Sequence, residues 1–249
     1  MAKTFEALLK AEKESQKRLQ ELAVFEPKPL PKPLQTAKPK ISRQVMEEYH
    51  RMKYNILRVN PRKEIKTLLF TSPTEGEGHS TVLTHFAITL APEGERALLV
   101  DANLRNPSLH EVFNLERKNG LTELFFEKST LVDVIQKTRL NNLSVITCGK
   151  PCSNPSSVFE SNSLDFHIEE MKAQADWVLF DSPPINSSDD SITLAGKVDG
   201  VVMVVEAEKT RWEVAESAKQ RIESGKGTIL GVVLNNRHFY IPEWIYKTL

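Results

Sequence analysis

The chain lacks any apolar run approaching the ~18 residues needed to cross a bilayer. Its opening stretch, MAKTFEALLKAEKE, has too short an apolar segment and too many acids to read as a secretory signal. Cysteine is nearly absent. Cys148 and Cys152 are the only two, and with no His or Cys cluster to complete a site they read as reduced thiols rather than a disulfide or a metal pair. Net charge is absent too, with 33 Lys+Arg against 33 Asp+Glu. That balance removes the electrostatic reason to expect a nucleic-acid partner. There is no internal repeat. These absences predict a cytoplasmic protein without a membrane span of its own, whose recruitment to the inner face of a membrane would run through a partner.

What is present divides the chain into three parts. Residues 1–23 form a charged helical stretch whose thin apolar stripe (Phe5, Leu8, Leu9, Leu19, Leu22) needs a partner surface to stay folded. Residues 24–41 interleave Pro27, Pro29, Pro31, Pro33 and Pro39 with lysines. Such spacing forbids helix and predicts an extended tether. From residue 42 to 249 the pattern is one α/β domain. A helix from Ser42 to about Leu57 is followed by short Val/Leu/Ile runs at 68–72, 96–101, 143–147, 177–181, 200–207 and 229–235, with helices near 80–90 and 213–224. Nearly continuous apolar strands between helices predict a doubly wound, mainly parallel sheet covered on both faces.

The first strand runs into Thr74-Glu75-Gly76-Glu77-Gly78-His79-Ser80-Thr81. A glycine-rich turn between a strand and a helix N-terminus offers backbone N–H groups and a positive dipole end to an anion. The nucleotide-binding candidates are therefore Gly76, Glu77, Gly78, His79, Ser80 and Thr81, with Ser80 or Thr81 placing a hydroxyl on a metal ion. An ordinary strand-to-helix turn would use glycine in the same way. Two carboxylates weigh against that, because Asp101 and Asp181 close two further apolar strands. Active sites of open α/β sheets lie at such carboxyl ends. Against the P-loop pattern GxxxxGK[ST], Pro73 replaces the first glycine and His79 replaces the lysine.

The runs TSPTEGEGHST, LLVDANLRNPSLHEVF and VLFDSPPI, with NGLTELF, NPSSVFESN and GVVLNN, resemble the bacterial tyrosine kinases of exopolysaccharide and capsule synthesis. The usual signatures of that family look like PGEGKST, VDADLRRPSLHKLF and IIDTPP. The likeness extends from about Ile41 to the C-terminus, and the opening FEALLKAEKE is similar to a subgroup of stand-alone cytoplasmic members. The resemblance implies a P-loop NTPase fold and a site for ATP or ADP with Mg2+. Ser80, Asp101 and Asp181 would be its metal residues, Asp101 and Asn103 the two acid positions of a second Walker A-like motif, and Arg105 the arginine after it. It also implies a homo-oligomer, and a membrane chain-length or co-polymerase protein whose cytoplasmic segment is the partner.

The departures from that pattern point to a pseudokinase. His79 is shorter than lysine and largely neutral at pH 7, and Asn103 removes a charge from the second acid position. Tyr240 and Tyr246, the phosphorylation candidates, are the only tyrosines near the C-terminus; packing of a terminal segment against the core is the favoured reading of both. The family's ring-forming ExxRxxR helix is softened here to Glu47, His50 and Lys53, which favours a solvated helix face. The leading expectation is a catalytically impaired regulatory relative acting by binding its membrane partner. Two alternatives stay open: an active tyrosine autokinase using another cation, and a slow ATPase switch of the partition type.

Overall fold

The computed structural model describes residues 41–59, 64–126, 128–161 and 163–237. The expected N-terminal helix, the proline-rich tether up to Lys40, and Tyr240 and Tyr246 lie outside the described residues. In chain order the elements are α1 (Arg43–Val59), β1 (Thr67–Thr71), α2 (His79–Leu90), β2 (Ala97–Asp101), α3 (Leu109–Phe113), α4 (Leu121–Phe125) and α5 (Leu131–Val134). There follow β3 (Ile135–Lys137), β4 (Leu143–Ile146), α6 (Ser156–Phe159), α7 (Leu164–Gln174) and β5 (Trp177–Asp181). The last elements are α8 (Asp189–Ala195), β6 (Gly200–Glu206), α9 (Trp212–Ser224) and β7 (Ile229–Asn235).

The strands form one seven-stranded sheet in the order β3-β4-β2-β5-β1-β6-β7. Every pairing is parallel except β3 with β4. This is the doubly wound sheet expected from the apolar runs. Because strand side chains alternate, each run feeds two cores. Leu68, Phe70, Leu99, Leu179 and Val202 pack under α2 through Val82, Leu83, Phe86 and Leu90. Leu69, Leu98, Val100, Val178, Phe180 and Val201 pack on the other face against residues of α4 to α9, among them Leu124, Ile168, Leu194 and Ile222.

The register matters most at the carboxyl edge. Asp101 pairs with Asp181, and Phe70 pairs with Asp181 from the other side. Ala102 N–H donates to the Asp181 carbonyl at 2.8 Å, locking the two strand ends together. The glycine-rich turn leaves β1, which lies on the other side of β5 from β2. The fold therefore gathers the three sequence-distant motifs at the carboxyl edge, beside the β1/β5 switch point where open sheets bind ligands.

Helix α1 is not a simply solvated helix. Ile56 is buried and Tyr49 and Met52 pack on the α2 side. Lys53 Nζ donates to Glu93 and, at 2.8 Å, to Glu95, while His50 Nδ1 meets Glu93 at 2.7 Å. Glu95 in turn accepts from Trp177 Nε1 at 2.7 Å. Burial works against the Lys53 charge, yet the hydrogen bonds to Glu93 and Glu95 win and hold its pKa above the ordinary lysine value. Two of the three side chains in the softened frame, His50 and Lys53, are thus engaged by acids of the same chain. Lys53→Ala is expected to cost about 1–2 kcal/mol in urea unfolding, the value of a charged hydrogen-bond pair, with faster amide exchange along α1.

Candidate functional site

The turn after β1 is built by two left-handed glycines. Gly76 has φ +82° and Gly78 φ +88°, a region that costs other L-residues about 1 kcal/mol or more. Gly78 is constrained twice, since a Cβ there would lie 2.4 Å from Asn235 Nδ2. That amide donates to the Glu77 carbonyl at 2.9 Å, tying the end of β7 to the turn. Helix α2 starts at His79 with no side-chain cap. Its first N–H groups are thus left without a side-chain acceptor at the mouth of the turn, an arrangement suited to an anion.

Glu77 does something the sequence does not announce. Its carboxylate is fully buried and holds the turn from inside. Oε1 accepts from Thr74 N–H at 2.9 Å and from the Thr74 hydroxyl; Oε2 accepts from Glu206 N–H at 3.1 Å and the Thr210 hydroxyl at 2.9 Å. With four donors around it the charge is solvated by the protein itself. Only the backbone of Glu77 could face a phosphate.

His79 is buried and turned inward. Its Nδ1 lies 2.9 Å from Ser72 Oγ. The Ser72 hydroxyl also donates to the Thr74 carbonyl at 2.7 Å. Nε2 is buried without a hydrogen-bond partner, 3.7 Å from Asp181 Oδ1. Burial pushes the imidazole pKa down to about 4, with a smaller opposing contribution from the Ser182 backbone. Asp181 is held well above the carboxylate range, first by burial and then by neighbouring Asp101, while the Ser80 hydroxyl opposes. Asp101 is raised by burial to about 7 despite N–H donors from Leu109 and Ser108. With the histidine neutral and the aspartate inclined to hold a proton, the 3.7 Å approach is not an ion pair.

The remaining expected residues arrange around this pair. Ser80 Oγ donates to Asp181 Oδ1 at 2.9 Å. Thr81 is exposed on the first turn of α2. Asp101 Oδ2 accepts from Ser108 and Leu109 N–H at 3.1 Å each. Asn103 is buried, and its Oδ1 caps the Asn106 N–H at 3.1 Å. Arg105 reaches sideways to Asp190 at 3.3 Å. The fit to a hard cation rests on two orphaned oxygens, Asp181 Oδ2 and Asp101 Oδ1, which are buried without partners. Ser80 and Asp181, with Asp101 behind them, would hold such an ion. Among the described residues no three His, Cys, Asp or Glu side chains are spaced to cage one unaided, so phosphate oxygens and water would complete the shell. Cys148 and Cys152 are both free thiols.

Residues 64–247 match a family model described as the NUBPL iron-transfer P-loop NTPase of the ParA group. The chain is 34% identical over 191 residues to the tyrosine-protein kinase YwqD of Bacillus subtilis, covering 77% of this chain and 81% of that one. It is 34% identical over 193 residues to the tyrosine-protein kinase CpsD of Streptococcus agalactiae, covering 76% and 82%. Among solved structures it superposes on the chimerical protein CapA2B2 with TM-score 0.75 at 28% identity, over 92% of this chain and all of that one.

Two outcomes are expected from this geometry. Glu77→Gln sets an amide NH2 against a backbone N–H on whichever side it faces, and should cost about 2–3 kcal/mol in urea unfolding. His79 has a folded pKa of about 4 against 6.5 when free. The unfolded chain therefore takes up the proton first, so the stability tied to the neutral imidazole is full above pH 6.5 and lost as pH falls toward 4. Unfolding free energies of wild type minus His79→Asn should fall by ~3 kcal/mol between pH 7.5 and 4. Asp101 and Asp181, both raised, run the opposite way; Asp101 is common to both proteins, and Asp181, in contact with residue 79, is followed by the same subtraction at His79→Gln.

Proposed function

The chain belongs to the bacterial tyrosine kinase family of ParA-like P-loop NTPases, and from that premise we propose that it is a catalytically impaired regulatory member. It keeps a phosphate cradle but transfers phosphoryl groups poorly, and serves exopolysaccharide assembly by docking on the cytoplasmic segment of a membrane chain-length protein. The observation that carries the proposal is the state of His79. At the position where the P-loop supplies a fixed ammonium, this chain has a buried, neutral imidazole bonded to Ser72.

A bound nucleotide–Mg2+ would supply the transferable phosphate and the ion that neutralises it. The chain's own part is to hold that phosphate on the N–H groups opening α2 and to hold the ion on Ser80 and Asp181. Stabilising the charge that moves onto the β/γ oxygens is the part for which His79 is unsuited. Losing one such contact costs ~3 kcal/mol, on the order of a hundredfold in rate. The regulatory partner reading draws support from the likeness to the chimerical protein CapA2B2. Among the described residues no helix is long and apolar enough to cross a membrane.

The test is to incubate the full-length protein with ATP and Mg2+ and map phosphotyrosine by mass spectrometry, Tyr240 and Tyr246 included. Wild type is expected to bind nucleotide weakly and stay unphosphorylated, and His79→Lys to bind it about tenfold or more tightly, the gain of a charged hydrogen bond. Robust autophosphorylation of wild type would establish the active autokinase in its place.

A further inference from the structure

One cation stands beside the turn, and it comes from the far side of the sequence. Lys209 lies in the connection between β6 and α9, and a Cβ built on Gly76 would sit 3.9 Å from its Nζ. Gly76 is exposed at the crest of the turn, and the Lys209 side chain is 59% exposed. The ammonium is close enough to the crest to share a ligand with it, and open enough to move.

Lys209 is not there by the accident of a floppy loop. Residues Glu206 to Thr210 form a tight turn in which Thr210 N–H donates to the Glu206 carbonyl at 3.2 Å. Glu208 takes a left-handed φ of +63°, a conformation that non-glycine residues hold only where the surroundings over-determine it. The buried Glu77 carboxylate binds both ends of this turn, Glu206 N–H and the Thr210 hydroxyl. Glu77 belongs to the phosphate turn itself. The two turns are bolted together through one side chain, and Lys209 is carried between the two bolts.

The ammonium is parked on Glu206 Oε2, which holds the Glu206 pKa below its ordinary value. An exposed pair of this kind contributes little stability, so exchanging the carboxylate for a phosphate is cheap. Resting on the nucleotide reading above, we propose that Lys209 is a phosphate-binding residue of this site, supplying in trans of the turn the positive charge that His79 does not. The class of ligand is the polyphosphate of a nucleotide bound on the α2 N-terminus. Glu206 is then its competitor, a positioning residue that keeps the ammonium near the crest when no ligand is present.

The probe is ADP with Mg2+, titrated calorimetrically into the full-length protein at two salt concentrations, with inorganic tripolyphosphate as a separate arm. Lys209→Ala is expected to weaken ADP about tenfold or more and to flatten the salt dependence, while its thermal melt stays that of wild type. Lys209→Arg should retain binding, and Glu206→Gln, which keeps the backbone N–H but releases the ammonium, should tighten it severalfold. A purely structural Lys209 would not produce that last gain. If wild type binds ADP and Lys209→Ala binds it equally, the role of Lys209 is overturned while the nucleotide site stands. If wild type binds tripolyphosphate but not ADP, the site is an anion cradle and the nucleotide class is wrong. If wild type binds neither, the nucleotide reading fails and this role with it.

Discussion

Two carboxylates packed side by side at the ends of adjacent buried strands set the terms for everything around them. Asp101 and Asp181 are register partners in β2 and β5 and are fully buried. Like charges that close cannot both ionise in a low-dielectric site. A lysine among them would relieve the repulsion by its charge. Here burial instead raises the pKa of both acids and keeps His79 uncharged, while the Ser80 hydroxyl donates to Asp181 and the backbone N–H groups of Ser108 and Leu109 donate to Asp101. The arrangement is self-consistent without a ligand, yet it leaves an oxygen of each acid unpaired.

The glycine turn depends on a different kind of charge management. Glu77 stays buried because four donors solvate it, and in accepting them it fastens β1's exit to β6's exit. Asn235 adds the end of β7 to the same knot. The carboxyl edges of three neighbouring strands, β1, β6 and β7, are thus joined by side chains as well as by the sheet.

Much of this was legible in the residues alone. Each of the six apolar runs became a strand within a residue or two, because a strand buried on both faces leaves no room for polar punctuation. The convergence of the glycine turn, Asp101 and Asp181 followed from the doubly wound topology. Strand β3 and helices α3 to α8 were missed, most of them being too short to show a period. The sequence placed Glu77 in the glycine turn, but nothing local reveals that its side chain is buried opposite Thr210. Lys209 was invisible for the same reason. His79 was noticed as a substitution, but the substitution alone does not tell that its ring turns inward onto Ser72. Lys53 looked like part of a solvated face because Glu93 and Glu95 are some forty residues away.

The knot around Glu77 also bears on the kinetics of recognition. A loop that must be ordered by its ligand charges the ordering entropy to the affinity, commonly about 0.5–1.5 kcal/mol for each side chain immobilised. Here Gly76 and Gly78 are already in their left-handed states and Glu77 is already saturated with donors. A phosphate arriving at α2, as proposed, would meet a shape that exists before it binds. Encounter is then a matter of diffusion and charge rather than of folding around the ligand, so whatever the chain has surrendered in strength by replacing the lysine, it need not have surrendered in speed.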